Sequence, residues 1–154
     1  MIEIWKQEFV IAHTACLTRS FRHFTGRDLL QGNGATFPLA KTLFEAPFVV
    51  VSHRLEPDPI LNYGNRAALE LWEMSWEEFV RTPSRLTAEA PARAERARLL
   101  EVVAQHGFMD DYSGIRISRS GRRFRIERAT VWNLISQTGE PLGQAATFRD
   151  WKFL

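Results

Sequence analysis

A chain of 154 residues, 45 % of them hydrophobic and 25 % charged, has the composition of one folded globular domain, which excludes a disordered chain. Twenty basic against 18 acidic residues leave a formal charge of only +2, so nucleic acid is disfavoured as a partner. The single cysteine, Cys16, excludes an internal disulfide and favours a reducing compartment. Because no apolar run reaches the ~18 residues of a membrane span and the N-terminus has no secretory signal, we expect a cytoplasmic domain with no membrane partner.

The first predicted element is an amphipathic helix over residues 3–25. Its apolar stripe consists of Trp5, Phe9, Ala12 and Cys16. Such a stripe needs a partner surface, and two remain open: the rest of the same domain, or a second copy of the chain in a homodimer. Gly26 is a typical C-terminal stop, and residues 26–46 are predicted to form a connecting loop with a short helical turn at 41–45.

The domain proper is predicted over residues 47–154 and begins with two strands. The β-branched run 48–51 predicts the first strand, and 60–63 the second, after a proline-rich turn. A connection this short predicts an antiparallel hairpin.

Three helices follow the hairpin. Asn65 is a good N-cap for the first, and Ser75, with a Glu three residues on, forms a capping box for the second. Pro91 fits the first turn of a longer helix that runs to about Gln105.

The last third of the chain alternates with the period of strands. Segments 113–118, 124–134 and 142–151 are separated by short turns, which predicts a three-strand meander. The whole order favours an α+β fold: a five-stranded antiparallel sheet with the three helices on one face, preceded by the N-terminal helix.

Arginine dominates the basic residues, and six arginines lie between Arg116 and Arg128. Apolar residues alternate with them, as expected of a hairpin with one solvated face. We therefore prefer a solvated face to the alternative of an anion or nucleic-acid patch.

Several segments resemble a known family. Residues 63–72, YGNRAALELW, resemble the stretch of PAS domains in which a strand gives way to a helix at an Asn cap. Four further segments are similar to the MEKHLA family: PSRLTAE at 83–89, DYSGIR at 111–116, ATVWNL at 129–134 and GQAA at 143–146. That PAS-like group occurs as stand-alone bacterial proteins, the type this chain resembles, and at the C-terminus of plant homeodomain–leucine-zipper regulators. The resemblance covers roughly residues 8–151 and implies a PAS-like fold with a sensory or interaction role.

The same resemblance implies a ligand site between the sheet and its helices. On the strand 124–134, alternation places Arg128, Thr130 and Trp132 on one side, with Phe124 and Ile126. If that side faces inward, the candidate ligand-binding residues are Trp72, Tyr112, Arg128, Thr130, Trp132 and Gln144. The alternative is that the aromatic members are ordinary core.

An interior Arg128 would need a partner, because an isolated buried charge is costly. We favour a protein acid, Glu70 or Asp111, over the carboxylate of a small ligand. A strand bulge would reverse this register.

Cofactor and catalytic motifs are weak. Haem ligation through His106 is disfavoured because a helix-terminal His is explained by the helix dipole. Flavin–cysteine photochemistry is rejected because Cys16 lies outside the domain body, and His13 with Cys16 does not make a metal site. We find no phosphate loop and no acid–base pair, and therefore expect no enzyme.

Three functions stay open. The first is a sensory or regulatory module that binds a small molecule and signals to a partner, and the second is a ligand-free module for dimerisation or protein interaction. The least supported is an enzyme, which would need a cleft that unites Arg128, Tyr112 and an acid of raised pKa.

Overall fold

The structure is a computed structural model that describes residues 3–30 and 38–154. Five α-helices are present in these ranges: α1 (Glu8–Thr25), α2 (Leu39–Phe44), α3 (Arg66–Trp72), α4 (Trp76–Phe79) and α5 (Ala90–His106). The strands are β1 (Val49–Arg54), β2 (Leu61–Gly64), β3 (Phe108–Ile117), β4 (Arg123–Ile135), β5 (Pro141–Phe148) and β6 (Asp150–Phe153). Short 3-10 turns occupy Ile4–Lys6 and Ser84–Thr87.

The strands form one antiparallel sheet in the order β2-β1-β5-β4-β3, and the predicted α+β fold is confirmed. The predicted closing strand is split in two at Arg149. β5 pairs with the second half of β4, as in Thr130↔Thr147, whereas β6 pairs with the first half, as in Ile126↔Trp151. The sheet therefore has a short sixth strand that the sequence did not predict.

Local capping signals are confirmed where they were strongest. The Asn65 side chain accepts a hydrogen bond from the Ala68 backbone N–H at 3.3 Å, and Ser75 forms a full capping box with Glu78. Gly26 ends α1 in the left-handed region, with φ of 73°. The predicted connecting loop contains α2, and its central part, residues 31–37, lies outside the described residues.

Helices cover both faces of the sheet. Val50 on β1, with Trp132 and Leu134 on β4, packs against α1 and α2. Their strand neighbours point the other way, as when Val131 packs against α5. We call the first face the outer face and the second, which carries α3 and α5, the inner face. The N-terminal helix thus packs on its own domain, and its Phe9 and Ile11 are 52 % and 53 % exposed.

None of the helices in the described ranges is both long and apolar enough to cross a bilayer.

Candidate ligand cavity

A bulge in β4 decides which side chains reach the interior. Arg128 has φ of +52°, a left-handed conformation that inserts a residue and reverses the alternation beyond it. The predicted register is therefore wrong from Arg128 onward. Phe124 and Ile126 face inward as predicted, but Ala129 and Val131 follow them inward in place of Thr130 and Trp132.

Three predicted site residues consequently lie outside the space between the inner face and α5. The Arg128 side chain is 73 % exposed and pairs with Asp150 at 2.9 Å, so neither Glu70 nor Asp111 is its partner. Thr130 donates a hydrogen bond to Asp110 Oδ1 at 2.7 Å. Trp132 is fully buried on the outer face, where its ring meets Phe21 edge-on with centroids 4.9 Å apart.

A cavity of about 60 Å³ lies between the inner face and α5. The other three predicted residues, Trp72, Tyr112 and Gln144, line it. Its apolar wall includes Val51, Leu61, Phe79, Leu99, Ile126 and Phe148. An apolar pocket with a few polar groups is the usual form of a small-molecule site.

Three further residues with an imidazole or guanidinium group, none of them predicted from the sequence, also line the cavity: His53 from β1, Arg96 from α5 and Arg116 from β3. The spacing of Arg96 from Leu99 and Val103, both buried, is a signal that could have indicated the packed side of the helix. Arg116 gave no such signal, because alternation with Ile115 and Ile117 favoured the solvated face. That interpretation was wrong, since Arg116 is only 7 % exposed.

The two guanidinium groups have like charge, and among the described residues neither forms an ion pair with a carboxylate. Arg116 donates from Nη1 to the Ile115 carbonyl at 2.9 Å and from Nη2 to the Tyr112 hydroxyl at 3.2 Å. Burial, together with the neighbouring charge of Arg116, lowers the pKa of Arg96 to about 10.

His53 presents an unpaired nitrogen beside these charges. Its Nδ1 lies 3.0 Å from the Arg54 carbonyl, which makes Nδ1 the protonated nitrogen. Nε2 is buried and has no hydrogen-bond partner among the described residues. Burial, with the charge of Arg96, lowers the pKa of His53 to about 4, although the Arg54 carbonyl and the Glu56 carboxylate oppose the shift.

Two more cavity residues differ in their hydrogen bonding. The Trp72 Nε1–H is buried and unpaired within the described chain. Gln144 donates from Nε2 to the Leu100 carbonyl at 2.8 Å and to Asn133 Oδ1 at 3.1 Å. Asn133 in turn donates to the Val103 carbonyl at 2.9 Å, so two side chains of the sheet fasten α5 over the cavity.

The residues considered for cofactors lie elsewhere. His106 is exposed at the end of α5, and Cys16 is buried on α1, 3.5 Å from the Ile135 carbonyl on the outer side. Within the described ranges, no group of three or more metal-ligating side chains comes together.

The sequence model of the MEKHLA domain matches residues 11–153 of this chain. The chain belongs to the MEKHLA domain family. It is 25 % identical over 146 residues to the homeobox-leucine zipper protein HOX32 of Oryza sativa subsp. japonica, a match that covers 93 % of this chain. It is 26 % identical over 147 residues to the homeobox-leucine zipper protein ATHB-8 of Arabidopsis thaliana, again over 93 % of this chain. The MEKHLA domain described here spans only 17 % of the length of either plant protein.

Solved structures show the same fold. A PAS domain from Colwellia psychrerythraea superposes with a TM-score of 0.60 at 18 % identity, covering 72 % of this chain and 92 % of that one. An RNA-binding light-oxygen-voltage receptor gives a TM-score of 0.63 at 18 % identity, over 79 % of this chain and 36 % of the receptor. A PAS domain in complex with ethanol, from a LuxR-family transcriptional regulator of Burkholderia thailandensis, gives a TM-score of 0.54 at 17 % identity. That match covers 74 % of this chain and 95 % of the other. This MEKHLA domain therefore has a PAS-like fold.

Proposed function

We propose that this MEKHLA domain is a sensory or regulatory module that binds a small molecule in the cavity under α5. The observation that carries the proposal is a cavity lined by Trp72 and His53, whose Nε1 and Nε2 atoms are buried without partners in the described chain. Buried polar atoms are normally hydrogen-bonded, so each such atom calls for an explanation, and a ligand supplies one. The PAS domain solved in complex with ethanol supports a small guest in this fold.

The contacts around the cavity offer a route for a signal. A ligand that contacts Arg96 bears on α5, and α5 is fastened to β4 and β5 by Asn133 and Gln144. Trp132, the neighbour of Asn133 on β4, packs against Phe21 of α1 on the outer face. A shift of α5 would thus reach the N-terminal helix through β4, and α1 would present it to a protein partner.

Mass measurement and thermal denaturation test the proposal together. Native mass spectrometry of freshly purified protein should show an excess mass that is lost on denaturation. A thermal-shift screen of small acids, amides, alcohols and cofactors should give a compound that raises Tm by roughly 5 °C at a hundredfold excess over Kd.

A cavity-filling variant is the matched control. Ala146 lines the cavity, and Ala146→Leu should abolish the response while the ligand-free Tm holds or rises. A protein that carries no retained mass, and answers to no compound in the screen, would contradict ligand sensing.

A second candidate is a ligand-free dimerisation module, favoured by the exposed Phe9 and Ile11 on α1. Small-angle scattering over a concentration series should then show a dimer that Phe9→Ser with Ile11→Ser converts to a monomer. A strict monomer at every concentration would exclude this version.

The proposal includes no catalytic step. The predicted catalytic combination is not brought together, because the Arg128 side chain is exposed while Tyr112 lines the cavity. We extend the proposal to a cytoplasmic location on the support of the single buried thiol of Cys16.

A further inference from the structure

The cavity is bordered by two positive charges that arrive from different elements. Arg96 projects from α5 and Arg116 from β3, and both line the cavity. The charge of Arg116 adds to the burial that lowers the pKa of Arg96. Two guanidinium groups placed this close around one small space repel each other. In the low dielectric of an interior such repulsion is costly unless an anion lies between the groups.

Neither arginine has an acidic partner within the part of the chain that the structure describes. The ion pairs of the described residues involve other basic side chains throughout, and neither Arg96 nor Arg116 belongs to any of them. Residues 1–2 and 31–37, which the structure does not describe, contain no Asp or Glu in the sequence. Those two segments therefore cannot supply a carboxylate to either arginine.

Besides the acceptor His53 Nε2, the remaining polar groups of the cavity include hydrogen-bond donors. The Trp72 Nε1–H is unpaired, and the Tyr112 hydroxyl, which accepts from Arg116, keeps its own proton to donate. The amide nitrogen of Gln144 is already used by Leu100 and Asn133. An excess of donors with two positive charges selects a ligand that is rich in acceptors and negatively charged.

The volume of the cavity and its apolar wall restrict the chemical class of the ligand further. About 60 Å³ is well below the ~150 Å³ of an engineered cavity that holds benzene, so the ligand is small. Phe79, Leu99 and Phe148 in the wall favour an apolar body over a fully hydrated inorganic anion.

We propose that the ligand of this cavity is a short-chain organic carboxylate, held between the guanidinium groups of Arg96 and Arg116 with its hydrocarbon end against the apolar wall. This inference rests on the proposed function and specifies the chemical class that the same cavity accepts. Planar guanidinium groups suit a carboxylate because both present paired donors.

The test compares two molecules of nearly equal shape that differ in charge. Sodium propionate and propionamide are titrated calorimetrically into the full chain at constant ionic strength, with sodium phosphate as a third probe. We expect propionate to bind at least about tenfold more tightly than propionamide, and phosphate more weakly than propionate.

Three variants locate the binding. Arg96→Gln and Arg116→Gln should each weaken propionate by about tenfold or more and leave propionamide unchanged. Arg98→Gln is the matched control, because Arg98 is exposed on the same helix and should change neither affinity. The ligand-free Tm of Arg96→Gln should not fall, since the substitution relieves repulsion. If Arg116→Gln does not fold, the inference is tested by the ratio of propionate to propionamide affinity and by the Arg96→Gln variant.

The outcomes separate this inference from the proposed function. Equal affinity for propionate and propionamide overturns the inference that the ligand is a carboxylate, but it leaves the proposal that the cavity is a ligand site. Phosphate binding as tight as propionate overturns the organic class. An Arg96→Gln variant that loses Tm but keeps propionate affinity makes Arg96 structural and overturns the inference. Failure of all three probes also overturns it, and the wider screen then decides whether the cavity takes any other ligand.

Discussion

The two long helices lie on opposite faces of the same sheet and are packed very differently. α1, with 18 residues, buries seven of its side chains against the outer face. α5, with 17 residues, buries only Leu99 and Val103 among its described side chains. A polar network of His13, Ser52 and Asn62 closes the outer side, with His13 Nε2 2.8 Å from Ser52 Oγ. The inner side instead keeps a cavity with two unneutralised arginines.

This difference separates stability from binding. The outer face resembles an ordinary interior, in which close packing leaves little room for a guest. The inner face has an incompletely packed helix, and such elements are the ones that proteins use for ligand binding and movement. We therefore expect substitutions under α1 to act mainly on stability and substitutions under α5 to act mainly on binding.

The largest expected effect comes from the core beneath α1. Leu17 is fully buried, and Leu17→Ala should lower the free energy of unfolding by about 3–5 kcal/mol. Leu99→Ala, beside the cavity, should cost roughly 2 kcal/mol and should admit a larger ligand. Denaturant unfolding of the two variants measures the contrast, and equal costs would break the comparison of the two faces.

A histidine on each face makes stability depend on pH. Burial lowers the pKa of both His13 and His53 to about 4, against 6.5 for the unfolded chain. Between these values the unfolded chain binds protons that the folded one does not, so stability is full above pH 6.5 and falls as the pH drops towards 4. Each histidine contributes about 1.4 kcal/mol per pH unit in that window.

Single substitutions divide this acid sensitivity between the faces. His13→Gln and His53→Gln should each remove about half of the slope of unfolding free energy between pH 6.5 and 5, measured by chemical denaturation. A wild-type slope near zero in this window would show that the histidines do not need to be neutral for folding.

The sequence predicted the elements far better than it predicted the cavity. Caps such as Asn65 and Ser75 act within three residues, so local reading finds them. The bulge at Arg128 has no comparable signal, because arginine has no preference for a positive φ, and one unrecognised bulge exchanged the faces of Thr130 and Trp132. Arg96 and Arg116 were missed as cavity residues because charged side chains usually face solvent.

The smallest expected effect tests the bulge that sets the two faces. Arg128→Gly should stabilise the protein by roughly 0.5–1 kcal/mol, because relief of the positive φ outweighs the loss of an exposed ion pair. Arg125→Gly, at an exposed position of the same strand without a positive φ, should destabilise by a similar amount. If both glycine variants lose stability equally, the bulge is not where we place it.

The most direct test of the account uses a matched pair of tryptophans. Trp72 on the inner side and Trp132 on the outer face are both buried, and the indole N–H of each lacks a partner in the described chain. In a propionate titration followed by NMR, the five indole N–H signals are assigned by Trp→Phe substitution. We predict that the Trp72 signal shifts and saturates while the Trp132 signal stays in place. An unmoved Trp72, or a Trp132 signal that shifts as much, would contradict it.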